Sequence, residues 1–486
     1  MRFSGIILFL IVLCLQFSCR ESVKGDLKPD QHPETYTVVD TILRTGDNRY
    51  KTQIVINWWG EDPDGYIAGY EYSFDKVKWS YTLVQDSTFI VQLPEGADTF
   101  NFTFYVRAVD NDGLKDPSPA HIVYPVKNSP PEVSFVYPTG AIIRKPAKTF
   151  PVLKFFWNGT DPDGAENLNS YELVWNDTTR PVITISAGFT SAIFEATSLL
   201  GATSDCRVYQ GNNMNLHPTL MPGLKLNDTN YLYIRSVDKV GEKSSFCASY
   251  PVYVRKPKST TLLVNAYASS IQTREDFYTT NLTSAGVGSF DVTRLNEVQN
   301  GAYTELAPDN ITQAMIFDLF KTIIWIGKDA TYSLSLAEKT TDGFFTAGGK
   351  MFMAIEISSS MDPQAGYLGF SPIDSLVEPP KGSQLMIDRD SLVLPRITGW
   401  PVLKSKIYIN PARPFYENIY STPLYDARIS RTNPKSIWNG KSTIMTKKVA
   451  AGKTIFIISS VELHNLDGNN NIRDLFIKLF KDELGL

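Results

Sequence analysis

Trp58-Trp59-Gly60-Glu61-Asp62-Pro63-Asp64-Gly65 returns later in the chain as Trp157-Asn158-Gly159-Thr160-Asp161-Pro162-Asp163-Gly164. Each copy is followed by Tyr-Glu, at Tyr70-Glu71 and Tyr171-Glu172. Each then reaches a second shared phrase, Tyr105-Val106-Arg107-Ala108-Val109-Asp110 and Tyr233-Ile234-Arg235-Ser236-Val237-Asp238. A repeat carried by aromatic and turn residues predicts two copies of one small β-domain.

The local reading agrees. Gln53 to Trp58 has the β-branched alternation of a strand, and Phe100 to Val109 alternates large apolar residues, so one of its faces is core. Asp62-Pro63-Asp64-Gly65 is a turn: Pro presets φ, Asp caps it, and Gly accepts positive φ. Strands at this spacing around a core Trp fit an immunoglobulin-like sandwich. The Trp strand, the Tyr-Glu-Tyr strand and the Val-Arg-Ala-Val-Asp strand resemble fibronectin type III domains of bacterial surface proteins. The copies span residues 35–128 and 129–256. The second is longer by the segment Ser198 to Leu226, which lacks strand periodicity and predicts a loop or short helical insertion.

Four carboxylates on the turns of the first copy, Asp62, Asp64, Asp110 and Asp112, are hard oxygen donors of the kind calcium takes. Asp-Pro-Asp-Gly is equally a good turn on its own, and no metal is the expected state. Cys206 and Cys247 both fall in the second copy. A disulfide between them is the expected pairing, with two buried thiols as the alternative.

The N-terminus reads as an export signal. Arg2 precedes a short apolar run, Ile6 to Leu15, too short to span a bilayer comfortably. The run ends at Leu15-Gln16-Phe17-Ser18-Cys19. This resembles the lipobox of bacterial lipoproteins, with Gln16 where Leu is usual. The resemblance implies a signal peptide over 1–18, acylation of Cys19, and attachment to the cell envelope through that lipid, at the outer membrane on its periplasmic or surface face. Residues 19–34 are polar and read as a tether. The 486 residues carry a net charge of −4 and no basic stripe, which argues against nucleic acid as a partner.

From Ser259 the pattern changes to apolar strands alternating with helical stretches. Strands are expected at 261–266, 289–295, 322–327 and 350–355, with a segment rich in Pro, Gly and Tyr at 363–435. Order resumes at 442–449 and 454–459, and an amphipathic helix over 472–484 closes the chain. The strand, Gly-Gly-Lys, strand, elbow order and the closing strand-then-helix order resemble the class I glutamine amidotransferase-like fold, a flavodoxin-like relative. The fold expected for the whole chain is therefore two all-β sandwiches followed by a three-layer α/β domain over 257–486.

The resembled family places a nucleophilic cysteine on the turn after the Gly-Lys strand. Here that turn reads Ala354-Ile355-Glu356-Ile357-Ser358-Ser359-Ser360, and no cysteine follows Cys247. His464 falls near the family's histidine. Glu356, Ser358, Ser359 and His464 are the candidate pocket residues. Gly348-Gly349 does not make a phosphate loop, and Gly286-Val287-Gly288 precedes a strand instead of following one, so no cofactor is expected. The expectation is a non-catalytic, lipid-anchored envelope protein whose last domain binds a protein or glycan. A Ser/His hydrolase acting on glycans or acyl groups and a structural subunit of a surface-assembly or secretion complex are the alternatives.

Overall fold

A computed structural model describes residues 28–43, 52–91, 94, 97–138, 140 and 142–486. The signal peptide expected over 1–18 and the lipid-bearing Cys19 expected after it fall outside the described residues. The chain divides into two units, 1–128 and 129–486.

The described residues of the first unit form a sandwich of seven strands: β1 (Glu34–Leu43), β2 (Thr52–Glu61), β3 (Ile67–Ser73), β4 (Ser80–Thr82), β5 (Asp86–Val91), β6 (Thr99–Asp110) and β7 (Ala120–Lys127). They form two sheets, β1-β2-β5 and β4-β3-β6-β7. Trp58 from one sheet is 1% exposed and packs against Phe104 and Tyr70 from the other. The repeated phrases are thus the residues by which the two sheets meet.

Cross-strand register explains the rest of the repeat. Glu71 lies opposite Arg107, and Glu172 opposite Arg235. Glu71 accepts from Arg107 and Lys115, each at 2.7 Å. Glu172 accepts from Arg235 at 2.6 Å and Lys243 at 2.7 Å. Each guanidinium also lies over an aromatic ring, Arg107 on Trp79 at 4.0 Å and Arg235 on Phe246 at 4.4 Å. Burial alone would raise both carboxyls, but the hydrogen bonds from the Lys and Arg partners outweigh it and hold both below the usual glutamate range. A carboxyl whose pKa is depressed by folding contributes stability above its unfolded pKa, and the contribution is lost as pH falls through the folded value. Urea unfolding of the full chain is therefore expected to show a loss of stability beginning below about pH 4.5. In Glu172→Gln that acid limb becomes shallower, and stability at pH 7 falls by about 1–3 kcal/mol. An acid limb unaltered by the substitution would count against the assignment.

Asp62, Asp110 and Asp161 each turn one carboxylate oxygen to backbone amides, while the second oxygens of Asp110 and Asp161 are buried without a hydrogen-bond partner. Asp110 Oδ1 accepts from Asp112 N and Leu114 N, both at 2.9 Å. Asp161 Oδ1 accepts from Asp163 N at 2.8 Å, and Asp62 Oδ1 from Asp64 N at 3.4 Å. Among the described residues no group of three or more His, Cys, Asp or Glu side chains is placed to hold a metal.

In the second unit the sandwich is built from β8 (Glu132–Val136), β9 (Val152–Thr160), β10 (Leu168–Trp175), β11 (Ile183–Ser186), β12 (Ser191–Ala196), β13 (Thr203–Gln210), β14 (Met221–Lys225), β15 (Leu232–Asp238) and β16 (Cys247–Ala248). One sheet runs β13-β12-β9-β8, with β14 and residues 215–216 both pairing with β13; the other runs β11-β10-β15-β16. Gly159 is required here, because a Cβ would lie 2.4 Å from the Tyr171 hydroxyl.

Two expectations change. The segment 198–226 is neither a loop nor helical: it forms β13 and β14 and extends the sheet beyond β12. Its signal is hidden because Gly, Asn and Pro punctuate strands of five to eight residues. Cys206 and Cys247 are both free thiols. Cys206 sits on β13 with its side chain in the core, whereas Cys247 lies on β16, the edge strand of the opposing sheet.

The rest of the second unit contains a nine-stranded sheet. Its strands are β17 (Thr261–Asn265), β18 (Asp291–Arg294), β19 (Thr322–Gly327), β20 (Lys350–Ile355), β21 (Leu392–Pro395), β22 (Leu403–Lys404), β23 (Ser421–Ala427), β24 (Thr443–Ala450) and β25 (Lys453–Ser459). The order is β18-β17-β19-β20-β25-β24-β23-β21-β22. The first five are parallel and the remaining pairings antiparallel, so the mostly parallel sheet expected from the sequence is a mixed one. Three of the antiparallel strands come from the segment 363–435, which continues the sheet. Alternate residues of the parallel strands enter two cores. Leu263, Ile324, Phe352 and Ile457 pack with helix α1 (Ile271–Ser284) and the C-terminal helix α5 (Ile472–Phe476). Leu262, Ile323, Met351 and Phe456 pack on the other face with α2 (Asn310–Phe317), α3 (Ala330–Thr340) and α4 (Asp342–Thr346).

That second core does not stop at the sandwich. Phe150, Val152 and Ile193 belong to it, with Tyr209 and Met214 packed at its margin. Phe150 meets Phe320 edge-on at 4.9 Å. Polar ties reinforce the seam: Lys154 to Asp309 at 2.5 Å and Arg255 to Glu305 at 2.9 Å. One face of the second sandwich thus packs into a core of the α/β sheet, while the interior between its own two sheets is a separate cluster.

Candidate functional site

β18 lies on one side of β17 and β19 on the other, so the connections leaving the carboxyl ends of these strands diverge. Open α/β sheets form their ligand crevices at such a point. A cleft of about 980 Å³ lies there. Tyr267 reaches it from the end of β17, Asn296 and Glu297 from the end of β18, Lys328 and Asp329 from the end of β19, and Glu356, Ser358 and Ser360 from the end of β20. Tyr332 on the first turn of α3 forms part of the wall.

The sandwich contributes the remaining side. Ile142 lines the cleft, and the neighbouring Ile143 exchanges backbone hydrogen bonds with Gly301 and Tyr303 at 3.0 and 2.9 Å. Tyr303, also a wall residue, is held in place by that exchange.

The candidate residues divide. Glu356, Ser358 and Ser360 line the cleft. The Ser358 and Ser360 hydroxyls are 2.8 Å apart and bond to each other. The turn carrying them is fastened from beneath by Arg413, 3% exposed, which donates to the Ser359 carbonyl at 2.7 Å and the Ser358 carbonyl at 3.3 Å. Ser359 does not line the cleft, and neither does His464. The His464 ring meets Phe277 of α1 edge-on at 5.8 Å, and neither ring nitrogen has a hydrogen-bond partner. Burial, helped by Arg274 and Lys406 and opposed by Glu462, lowers its pKa to about 4. The imidazole is neutral at pH 7, so its 3.6 Å approach to Glu462 is not an ion pair. No serine–imidazole hydrogen bond is present among the described residues.

Glu462 instead accepts from the Tyr267 hydroxyl at 2.6 Å and from Asn465 at 2.9 Å. It stiffens the Tyr267 wall from behind. Burial raises the Glu356 carboxyl, Glu462 raises it further, and Lys328 at 3.8 Å partly compensates. Burial, with the Tyr303 phenol beside it, pushes Tyr332 up to about 12. Its hydroxyl is buried without a hydrogen-bond partner. Asp329 is committed to capping α3, accepting from Tyr332 N at 3.0 Å.

The tyrosines and Asn296 escaped sequence reasoning. Their one legible signal is position: each lies in the connection after a parallel strand or on the helix that follows, where an open sheet places its ligand contacts.

No family model matches the chain, and no curated protein matches it. Among solved structures, a two-domain fibronectin type III segment of chicken tenascin is 14% identical, with a TM-score of 0.24, covering 46% of this chain and all of its own. The fibronectin type III-like modules of Clostridium thermocellum CbhA are also 14% identical, with a TM-score of 0.17, covering 42% of this chain and 86% of theirs.

Proposed function

We propose that this chain is a binding protein of the bacterial cell envelope, attached through a lipid at Cys19. Its two sandwiches carry an amidotransferase-like domain without the nucleophile of that family, and the cleft at the carboxyl edge of the parallel strands receives the ligand. The carrying observation is the cleft itself. It occupies the switch point of the sheet, and its walls come from four strand ends and the adjoining sandwich. A binding role is favoured over hydrolysis because the serines bond to one another, the His464 imidazole is buried without a hydrogen-bond partner, and this domain contains no cysteine.

The test uses the full chain in its native envelope. Mild crosslinking and affinity recovery are compared between wild type and Ser358→Trp, which fills the cleft from an exposed turn. The variant is expected to lose the bound molecule while keeping its unfolding midpoint. Identical recovery from both proteins, or measurable turnover of acyl or glycosidic substrates by the purified chain, would overturn the reading.

A further inference from the structure

A second cleft, of about 660 Å³, lies at the amino ends of β17 and β18, where the chain leaves the second sandwich and enters the sheet. We infer that it binds a ligand through a phosphate group. Its lining carries four cations, Lys148, Arg255, Lys256 and Lys258, against one carboxylate, Asp291. The whole chain has a net charge of −4, so this concentration of positive charge is local and not a property of the protein at large. Glu305, which does not line the cleft, takes up part of it, holding Arg255 at 2.9 Å and Lys148 at 3.3 Å. Among the described residues, the Lys256 and Lys258 ammoniums make no ion pair. Four cations thus face two carboxylates. The next charges outward are Arg294, Glu275 and Glu297, in contact at 2.8 and 3.1 Å, and together they carry one negative charge. The opening stays positive with all of them counted.

The backbone that carries the two free lysines is fastened on both sides. The buried Asp291 accepts from the Lys258 and Ser259 amides at 2.7 and 3.1 Å. The side chain of Asn227, a residue in the left-handed region with φ of 55°, accepts from Lys256 N at 2.8 Å. Arg255 is fixed as well: its amide donates to the Thr149 carbonyl at 2.9 Å, and its guanidinium lies over Phe150 at 4.1 Å. That guanidinium is already engaged by Glu305, and its Nε is buried, so the cations free to meet a ligand are ammoniums. An ammonium binds phosphate as a point charge, whereas a planar carboxylate gains most from a guanidinium fork. Tyr253 and Phe290 give the cleft an apolar flank beside its charges, and its volume far exceeds that of a bare ion. The ligand is therefore a phosphate ester, and a free ester and a lipid head group offer the same chemistry.

The experiment titrates the full chain, in neutral detergent, with pyrophosphate, glycerol phosphate and soluble dihexanoyl phosphatidylglycerol, and with citrate for comparison. Calorimetry reads the affinity of wild type, Lys256→Ala/Lys258→Ala and Lys256→Glu/Lys258→Glu. Lys256 is half-exposed and Lys258 exposed, so both variants are expected to keep the wild-type unfolding midpoint. At least one phosphorylated probe is expected to bind, roughly tenfold more weakly to the alanine variant and not at all to the glutamate variant. Added salt is expected to weaken binding to wild type. Glycerol phosphate binding without the lipid identifies a free ester as the ligand, and tighter binding of the lipid identifies a head group. No binding of any phosphorylated probe, equal binding by wild type and both variants, or tighter binding of citrate than of pyrophosphate overturns the inference. Ser358→Trp, which fills the other cleft, is expected to leave the titration unchanged. Loss of phosphate binding in that variant would place the probe in the other cleft and overturn the inference, with the reading of that cleft as a ligand site left standing.

Discussion

Asp309→Ala is expected to destabilise the second unit by about 3–5 kcal/mol, far more than an exposed carboxylate would cost. Lys154 lies on β9 of the sandwich and is 3% exposed. Its ammonium reaches Asp309 at 2.5 Å, and its other contacts are long: Asn212 at 3.5 Å and the Phe156 ring at 5.0 Å. Removing Asp309 leaves a buried charge without a counterion. It also removes the cap of α2, where Asp309 accepts from Thr312 N at 2.8 Å, a loss of about 1 kcal/mol by itself. The double variant Lys154→Met/Asp309→Ala is expected to recover most of the difference, because an apolar side chain fills the same space without a charge. Urea unfolding of the two single variants and the double measures the coupling. A loss near 1 kcal/mol in Asp309→Ala, with no rescue by Lys154→Met, would show that only the helix cap matters.

The second large effect concerns the repeated tryptophans. Trp157→Ala is expected to cost about 3–5 kcal/mol. The side chain is 1% exposed and meets Tyr171 at 5.7 Å inside a core that also includes Phe155 and Trp175. Trp58→Ala should cost a similar amount from its own core of Phe104, Val106 and Tyr70. The two cores share no residue, so the losses should add to within about 0.5 kcal/mol in the double variant. Strong non-additivity in calorimetric scans would show that the two sandwiches are energetically coupled.

Much of the fold was legible because its strands carry their own periodicity. The duplicated Trp, Tyr-Glu and Arg phrases mark residues that meet across the sandwiches. The apolar runs at 323–327 and 351–355 mark strands buried on both faces. What stayed hidden depends on pairings distant in sequence. Ser198 to Leu226 reads as a loop because its strands are short and broken by Gly and Pro, and they find partners only when β13 adds to β12 and β14 to β13. The segment 363–435 hides its strands for the same reason. At the site, a strand-end rule locates Glu356 and the serines. It cannot show that Arg413, more than fifty positions away, fastens their turn, or that His464 turns toward Phe277. Its inclusion with the serines came from a resemblance, and the buried ring shows no such pairing.

The packing of the second sandwich's outer face into the sheet's core bears on how the duplicated halves have diverged. Aligned on their common tryptophan, the positions of Phe150, Val152 and Lys154 are Lys51, Gln53 and Val55 in the first copy. Apolar and charged residues have exchanged places at the seam with the α/β sheet. The later copy has been recruited as half of a larger building block, and the earlier one lacks the side chains for that post. A recombination event that swapped them would preserve two sandwich sequences and lose the attachment. Such modules are therefore not interchangeable beads, and the natural breakpoint for shuffling this protein lies near residue 128, ahead of the second copy.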